Sequence, residues 1–279
     1  MRNFSLKILI FALLFVGFTA CDDDDNPVVI DNVMVVMNRT NGIVSLVNIT
    51  DGTLTSLGNF TYQNAPLTGI RDFLYNSSDQ MIYAVANGQS DGLVYRINPS
   101  TLVATVINDN ADYGWDAIAE IEMYNGDILG TAYLDEFTNE FSGHSLVILD
   151  TDGTEIEARE FMHDGSSYNP CCGMGLEYGA NNNELLIADD DRILRSNISG
   201  IISEVITLTY ENFPEGRGGG GPRIKCLEKD ANGNLYGLTT DGYFVSIDLD
   251  TNVMTYISTF GMASNDYQAL SFIPETVFQ

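Results

Sequence analysis

Residues 235–260 read LYGLTTDGYFVSIDLDTNVMTYISTF. Divided at their turns, they predict three strands: Leu235–Thr239, Tyr243–Asp248 and Val253–Phe260. Asp241-Gly242 joins the first pair, and an Asp-Gly step between alternating apolar runs is a strong hairpin signal. Leu249 to Asn252 joins the second pair. A fourth strand, Ile224–Glu228, precedes them through the polar turn Lys229–Asn234.

The same four-part unit recurs along the chain. Residues 70–108 contain IRDFLY, MIYAVA, GLVYRIN and LVATVIN. Residues 117–161 contain AIAEIEMY, DILGTAY, HSLVILD and EIEAREF, and residues 174–208 contain MGLEY, ELLIA, RILRSN and SEVITL. The beginning supplies only three strands, from Val33, Gly42 and Leu54, while Ala269–Ile273 near the end supplies one more. Four-stranded units repeating at about 40 to 50 residues are the signature of a β-propeller. The last strand completes the first blade and closes the ring, which leaves no long unprotected edge. Inner strands near Ile70, Ala117, Met174, Lys225 and Ala269 give five blades. Six result if residues 109–175 merge two weak repeats. A β-sandwich or a stacked β-solenoid is the competing architecture, but neither explains why the final strand resembles the first strand of a repeat. The fold class is therefore all-β, with one propeller domain over residues 33–279.

Composition narrows the function. The chain has 279 residues, with 12 Lys and Arg against 39 Asp and Glu, for a formal charge of −27. Nucleic-acid binding needs basic patches that displace counterions, so that class is excluded. Adsorption to an anionic lipid surface is disfavoured for the same reason. Only 18% of residues are charged, while Gly, Asn, Thr and Tyr are plentiful, which favours strands and tight turns.

The first 25 residues give an address. Arg2 and Lys7 precede an apolar run from Ile8 to Phe18, and Thr19 and Ala20 are small. This pattern is a secretory signal over residues 1–20. Its apolar run is about half the roughly 20 residues that a membrane-spanning helix needs. Phe18-Thr-Ala-Cys21 resembles a bacterial lipobox, with Phe where Leu is usual. The resemblance implies that Cys21 is lipid-modified and heads the mature chain. Asp22 to Asp25 resemble the acidic tag of surface-exported lipoproteins of the Bacteroidota. Residues 21–32 are then an acidic tether, and the protein is expected to be anchored in the outer membrane and exposed at the cell surface. The segments LVYRINPSTLVATVI (93–107) and LYGLTTDGYFVSIDLDTNVMTYIS resemble blades of NHL/YncE-like propellers and of Bacteroidota propeller lipoproteins. That likeness implies an architecture and no particular chemistry.

Several long connections are expected on one face: Asn59 to Gly69, Asn108 to Trp115, Leu134 to Gly143, Phe161 to Cys172 and Tyr210 to Arg223. Long loops gathered on a rigid scaffold are where binding concentrates. They carry Tyr62, Tyr113, Trp115, His163, Tyr168, Phe213 and Tyr267, with Arg217 and Arg223 beside them. Aromatic rings offer large contact area to sugars and peptides. A second candidate region is the channel, where Arg71, Asp72, Asp116, Glu120, Glu177 and Glu228 fall on or beside inner strands. Carboxylates there would hold Ca²⁺, act as a glycosidase pair, or simply line a solvated channel. No other cofactor is indicated, and no catalytic residue is assigned. His144 and His163 stand outside any nucleophile-elbow pattern. A bridge from Cys171 or Cys172 to Cys226 is one reading of the remaining cysteines, and three reduced thiols the other. Asp189-Asp190-Asp191 and Asp230–Asn234 both read as turns. The function expected is non-catalytic binding of a glycan, peptide or protein partner, with a channel enzyme or a scaffold as alternatives.

Overall fold

One turn chemistry recurs five times. Asn48, Asn98, Asp150, Asn197 and Asp248 each open the turn between the third and fourth strands of a blade, about fifty residues apart. In each, the side-chain oxygen accepts the amide two residues on, from Thr50, Ser100, Asp152, Ser199 and Asp250, at 2.9 to 3.1 Å. This Asx turn mimics a backbone turn and tolerates the residues around it. The N-x-S/T matches at Asn48 and Asn197 are instances of it.

A computed structural model describes residues 32–87, 92–108, 115–134, 143–170, 175–214, 221–260 and 267–278. Its strands form five sheets. From the inner strand outward, blade I is Tyr267–Pro274, Asn32–Asn38, Ile43–Val47 and Leu54–Asn59. Blade II is Ile70–Asn76, Met81–Asn87, Gly92–Asn98 and Val103–Asn108. Blade III is Trp115–Tyr124, Asp127–Leu134, Gly143–Leu149 and Glu155–Glu160. Blade IV is Leu176–Tyr178, Glu184–Asp189, Arg192–Asn197 and Ile201–Thr207. Blade V is Ile224–Lys229, Leu235–Thr239, Tyr243–Asp248 and Val253–Thr259. The expected closure is present: Val33 pairs with Ile273 and Met34 with Phe272, antiparallel. Each inner strand also packs against the inner strands of both neighbouring blades, from blade I round to blade V and back. Residues 109–175 contribute one blade, so the count is five.

Strand alternation builds the core. Val35 and Met37 pack between blades I and II, whereas Met34 and Val36 pack between blades V and I. Three further apolar clusters fill the remaining interfaces. The residue after an outer strand is a buried anchor in four blades: Phe60, Phe161, Leu208 and Phe260. Beyond three of these anchors the chain pairs in parallel with the outer strand of the next blade. Thr61 joins Val103, Met162–His163 join Ile201–Ile202, and Thr209–Glu211 join Val253–Thr255. These crossovers cover outer edges that would otherwise present unpaired groups.

Candidate functional site: an acidic channel and the long-loop rim

Five equivalent positions meet at the axis: Asp72, Glu120, Gly175, Cys226 and Ala269, each followed by a buried Phe, Ile or Leu. The inner edge of an inner strand has no neighbouring strand, so its amides need other acceptors. Side chains of this layer supply them. Asp72 Oδ2 accepts Ile121 N–H at 2.8 Å, from the next blade. Glu120 Oε2 accepts Leu176 N–H in blade IV and also Leu227 N–H, at 3.4 Å, in blade V. Cys226 Sγ accepts Leu270 N–H at 3.2 Å in blade I. Gly175 makes room for this reach, because a Cβ there would lie 3.0 Å from Glu120 Oε2.

Two residues further along the strands lies a second layer, in which Glu122, Glu177 and Glu228 converge. Glu177 is buried, whereas Glu122 and Glu228 are half-buried. Glu177 Oε1 accepts its neighbour's Tyr178 N–H at 2.6 Å and lies 3.7 Å from Lys229 Nζ. Lys229 also donates to the carbonyls of Tyr178 and Gly179.

Burial dominates the electrostatics. It pushes the carboxyls of Asp72, Glu120, Glu122 and Glu228 well above the usual range, and neighbouring carboxylates push them further. Glu177 is raised to about 7 by burial, against the opposing pull of Lys229. Burial and then Glu120 and Asp72 push the Cys226 thiol up as well.

The structure brings together four of the expected channel residues: Asp72, Glu120, Glu177 and Glu228. Arg71 is not one of the group. It is half-buried beside Arg39, and burial with that like charge lowers its pKa. Arg71 is the extra residue at the register shift between Ile70 and Asp72 in the inner strand of blade II. Asp116 is the second residue of the inner strand of blade III, at the register shift between Trp115 and Ala117, and its side chain lies outside the described residues. Glu122 and Cys226 were not assigned to the channel by sequence, although Glu122 stands two residues from Glu120. Of the two readings for the cysteines, a bridge from Cys171 or Cys172 to Cys226 and reduced thiols, Cys226 fits the second: it is a free, buried thiol turned to the axis. Cys171 and Cys172 lie outside the described residues.

At the long-loop rim, the three aspartates between strands of blade IV each take a different partner. Asp189 Oδ2 accepts Tyr168 Oη–H and an Arg192 N–H, both at 2.6 Å. Asp190 pairs with Arg223 at 2.9 Å, and Asp191 accepts Tyr210 Oη–H at 2.6 Å. One turn therefore pins the crossovers on both sides of blade IV. Tyr210 is 36% exposed and meets Phe213 edge-on. Tyr133, 40% exposed, meets His144 edge-on, and His144 contacts Asn169. His163 packs edge-on against Tyr168.

Two other aromatics expected on the binding face are half-buried against neighbouring rings. Tyr62 leans on Tyr95 at the perimeter of blade II, and Tyr267 on Phe260 between blades V and I. Tyr113 and Arg217 lie outside the described residues, as does the Trp115 side chain.

A groove of about 1050 Å³ runs between blades IV and V on the opposite, short-turn face. Asn181, Asp230, Asn234, Asp248 and Tyr236 line it, and Tyr178 and Lys229 link it to the lower acidic layer. Its turns have the chemistry expected: Asp230 Oδ1 accepts Asn232 and Asn234 N–H, and Oδ2 accepts the Asn234 amide.

No protein-family model matches the chain, and no curated protein sequence does. Solved structures do. One is a nidogen/laminin complex, at 12% identity over 87% of this chain and 98% of that one, with a TM-score of 0.54. Another is a gluconolactonase of Xanthomonas campestris, at 13% identity over 85% and 74%, with a TM-score of 0.50. A protein of unknown function from Bacteroides caccae aligns at 12% identity over 88% and 99%, with a TM-score of 0.49. At these identities the likeness is one of fold, and what this chain has in common with the first two is the β-propeller.

Proposed function

We propose that this chain is an exported lipoprotein, anchored through Cys21 at the cell surface, whose propeller binds a glycan, peptide or protein partner without chemistry. The binding surface is the long-loop rim around Asp189, Asp190 and Asp191. The observation that carries this reading is the clamp itself: Tyr168, Arg223 and Tyr210 are each tied to one aspartate of a single turn. A surface held this way loses little conformational freedom on binding, which favours affinity. Exposed Tyr133 and Tyr210 supply flat contact area beside it.

A glycan array and a surface-protein pull-down identify the ligand. With that ligand, Tyr210→Ala weakens binding on the order of tenfold, about 1.4 kcal/mol, with the unfolding midpoint unchanged. If Tyr236→Ala in the short-turn groove abolishes binding while Tyr210→Ala does not, the rim is the wrong surface. Cys21→Ala should release the protein from membranes.

A second reading rests on the lower acidic layer. Glu177, raised to about 7, sits with Glu122 and Glu228, and a carboxyl in that range suits acid–base chemistry. Hydrolysis of lactones or aryl glycosides that disappears in Glu177→Gln would establish it.

A further inference from the structure

The upper layer of the channel contains an anomaly. Asp72 is 3% exposed and Glu120 2% exposed, and among the described residues Asp72 Oδ1 and Glu120 Oε1 have no hydrogen-bond partner. Their other oxygens are held by main-chain amides of neighbouring blades. A buried carboxylate oxygen without a partner is strongly unfavourable, and such groups point to a proton, a water or an ion.

Three features favour an ion. One ligand atom each from Asp72, Glu120 and Cys226 lies within 4.8 Å of the other two. Modest side-chain rotation brings three such atoms to the roughly 2.0 to 2.3 Å at which oxygen and sulfur bind zinc. Asp72 and Glu120 are each held through one oxygen by a backbone N–H while the other oxygen stays open, and Cys226 Sγ is itself held by Leu270 N–H, much as outer-shell donors orient metal ligands. The third feature is access, since half-buried Glu122 and Glu228 stand two residues further along the channel and offer a cation-attracting approach.

We propose that Asp72, Glu120 and Cys226 form a three-ligand site for one borderline divalent transition-metal ion, with zinc the first candidate. Sulfur decides the class of ion. Ca²⁺ and Mg²⁺ prefer oxygen-only shells, whereas zinc takes thiolate together with carboxylate. Binding displaces to solvent the Cys226 proton and whatever protons the Asp72 and Glu120 carboxyls hold, so a thiolate and two carboxylates face the dication. The three ligands come from blades II, III and V, so the ion ties together blades distant in sequence. A water or a carboxylate from the lower layer completes a tetrahedral shell.

The test uses the purified protein stripped with a chelator and then offered Zn²⁺, Co²⁺ or Ca²⁺ separately. The expected result is one zinc per chain by elemental analysis. Cobalt should give a sulfur-to-metal charge-transfer band in the near ultraviolet. The band is read on the wild-type protein, so a misfolded variant cannot imitate its loss. Cys226→Ser should abolish the band, and Asp72→Asn should weaken zinc binding at least about tenfold. Absence of stoichiometric zinc overturns the proposal. So does zinc or cobalt binding without the sulfur band, or binding of Ca²⁺ in preference to zinc. The last result would assign the ion to the all-oxygen layer of Glu122, Glu177 and Glu228.

Discussion

Asp72 and Ile121 belong to consecutive blades, and the Asp72 carboxylate accepts the Ile121 amide at 2.8 Å on the inner edge of the ring. That edge is where a propeller leaves main-chain donors unpaired. Here the amides of Ile121, Leu176 and Leu227 are satisfied by acids and that of Leu270 by the Cys226 sulfur. The channel wall thereby gains hydrogen bonds and acquires buried negative charge that needs a proton or a cation.

Asp72→Asn keeps an acceptor for Ile121 and removes one buried charge. In metal-free protein it should raise stability by about 1 to 2 kcal/mol wherever the wild-type carboxyl is ionised. The gain should shrink as pH falls, because burial raises the Asp72 carboxyl in the folded chain and favours its protonated form. Chemical denaturation across a pH series measures the trend. A gain independent of pH would mean that the charge of Asp72 does not matter.

Glu177 titrates near 7 in the folded chain, against an ordinary value of 4.5. The folded state therefore holds this proton to higher pH than the unfolded state does. The contribution is fully present below about 4.5 and is lost as pH rises through about 7. The metal-free protein should lose stability over that window, and Glu177→Gln should flatten the profile there. A thermal-melt series across pH reads both, and a wild-type midpoint that climbs over the window would contradict the assignment.

Gly242 has φ +78°, and a Cβ placed on it would lie 2.8 Å from the Phe260 carbonyl oxygen. Gly126 has φ +98° with nothing within 4 Å. Gly126→Ala should cost only the left-handed backbone penalty, about 1 to 2 kcal/mol. Gly242→Ala should cost that and more, because the contact is with main chain. Urea unfolding of the pair separates backbone strain from the clash.

Removing residues 267–279 deletes the inner strand of blade I. Met34, Val36 and Leu270 share one apolar cluster, so the truncated chain should be protease-sensitive and show reduced β-sheet circular dichroism. Adding a peptide of residues 267–279 should restore protection. Full protection without the peptide would show that the ring does not depend on this closure.

The repeat was legible because strands and turns are local. Leu235–Thr239 and Tyr243–Asp248 are strands at the bounds that their Asp-Gly turn implies. The pairing of Val33 with Ile273 followed from counting strands. The five Asx turns were not read from the sequence, although an Asn or Asp recurring about every fifty residues was the signal for them. The channel was legible only in part. Asp72, Glu120, Glu177 and Glu228 could be placed on inner strands, but their grouping depends on the register between blades. No local pattern carries that register. Glu122 could have been found by its two-residue spacing from Glu120. Cys226 was hidden by its chemistry: in an exported chain a cysteine suggests a bridge, whereas this one supplies a sulfur to the axis. Tyr62 and Tyr267 look like ligand aromatics in a list of loop residues, and only packing shows them leaning on Tyr95 and Phe260.

The antiparallel pairing of residues 32–38 with residues 267–274 has a kinetic consequence. A chain made from its N-terminus offers Met34 and Val36 to the solvent long before their partner strand arrives. Blades II to V can each assemble from contiguous sequence, but the circle stays open until the tail emerges. Closure is therefore the last folding event, and a chaperone that shields the waiting first blade would act before the tail is delivered.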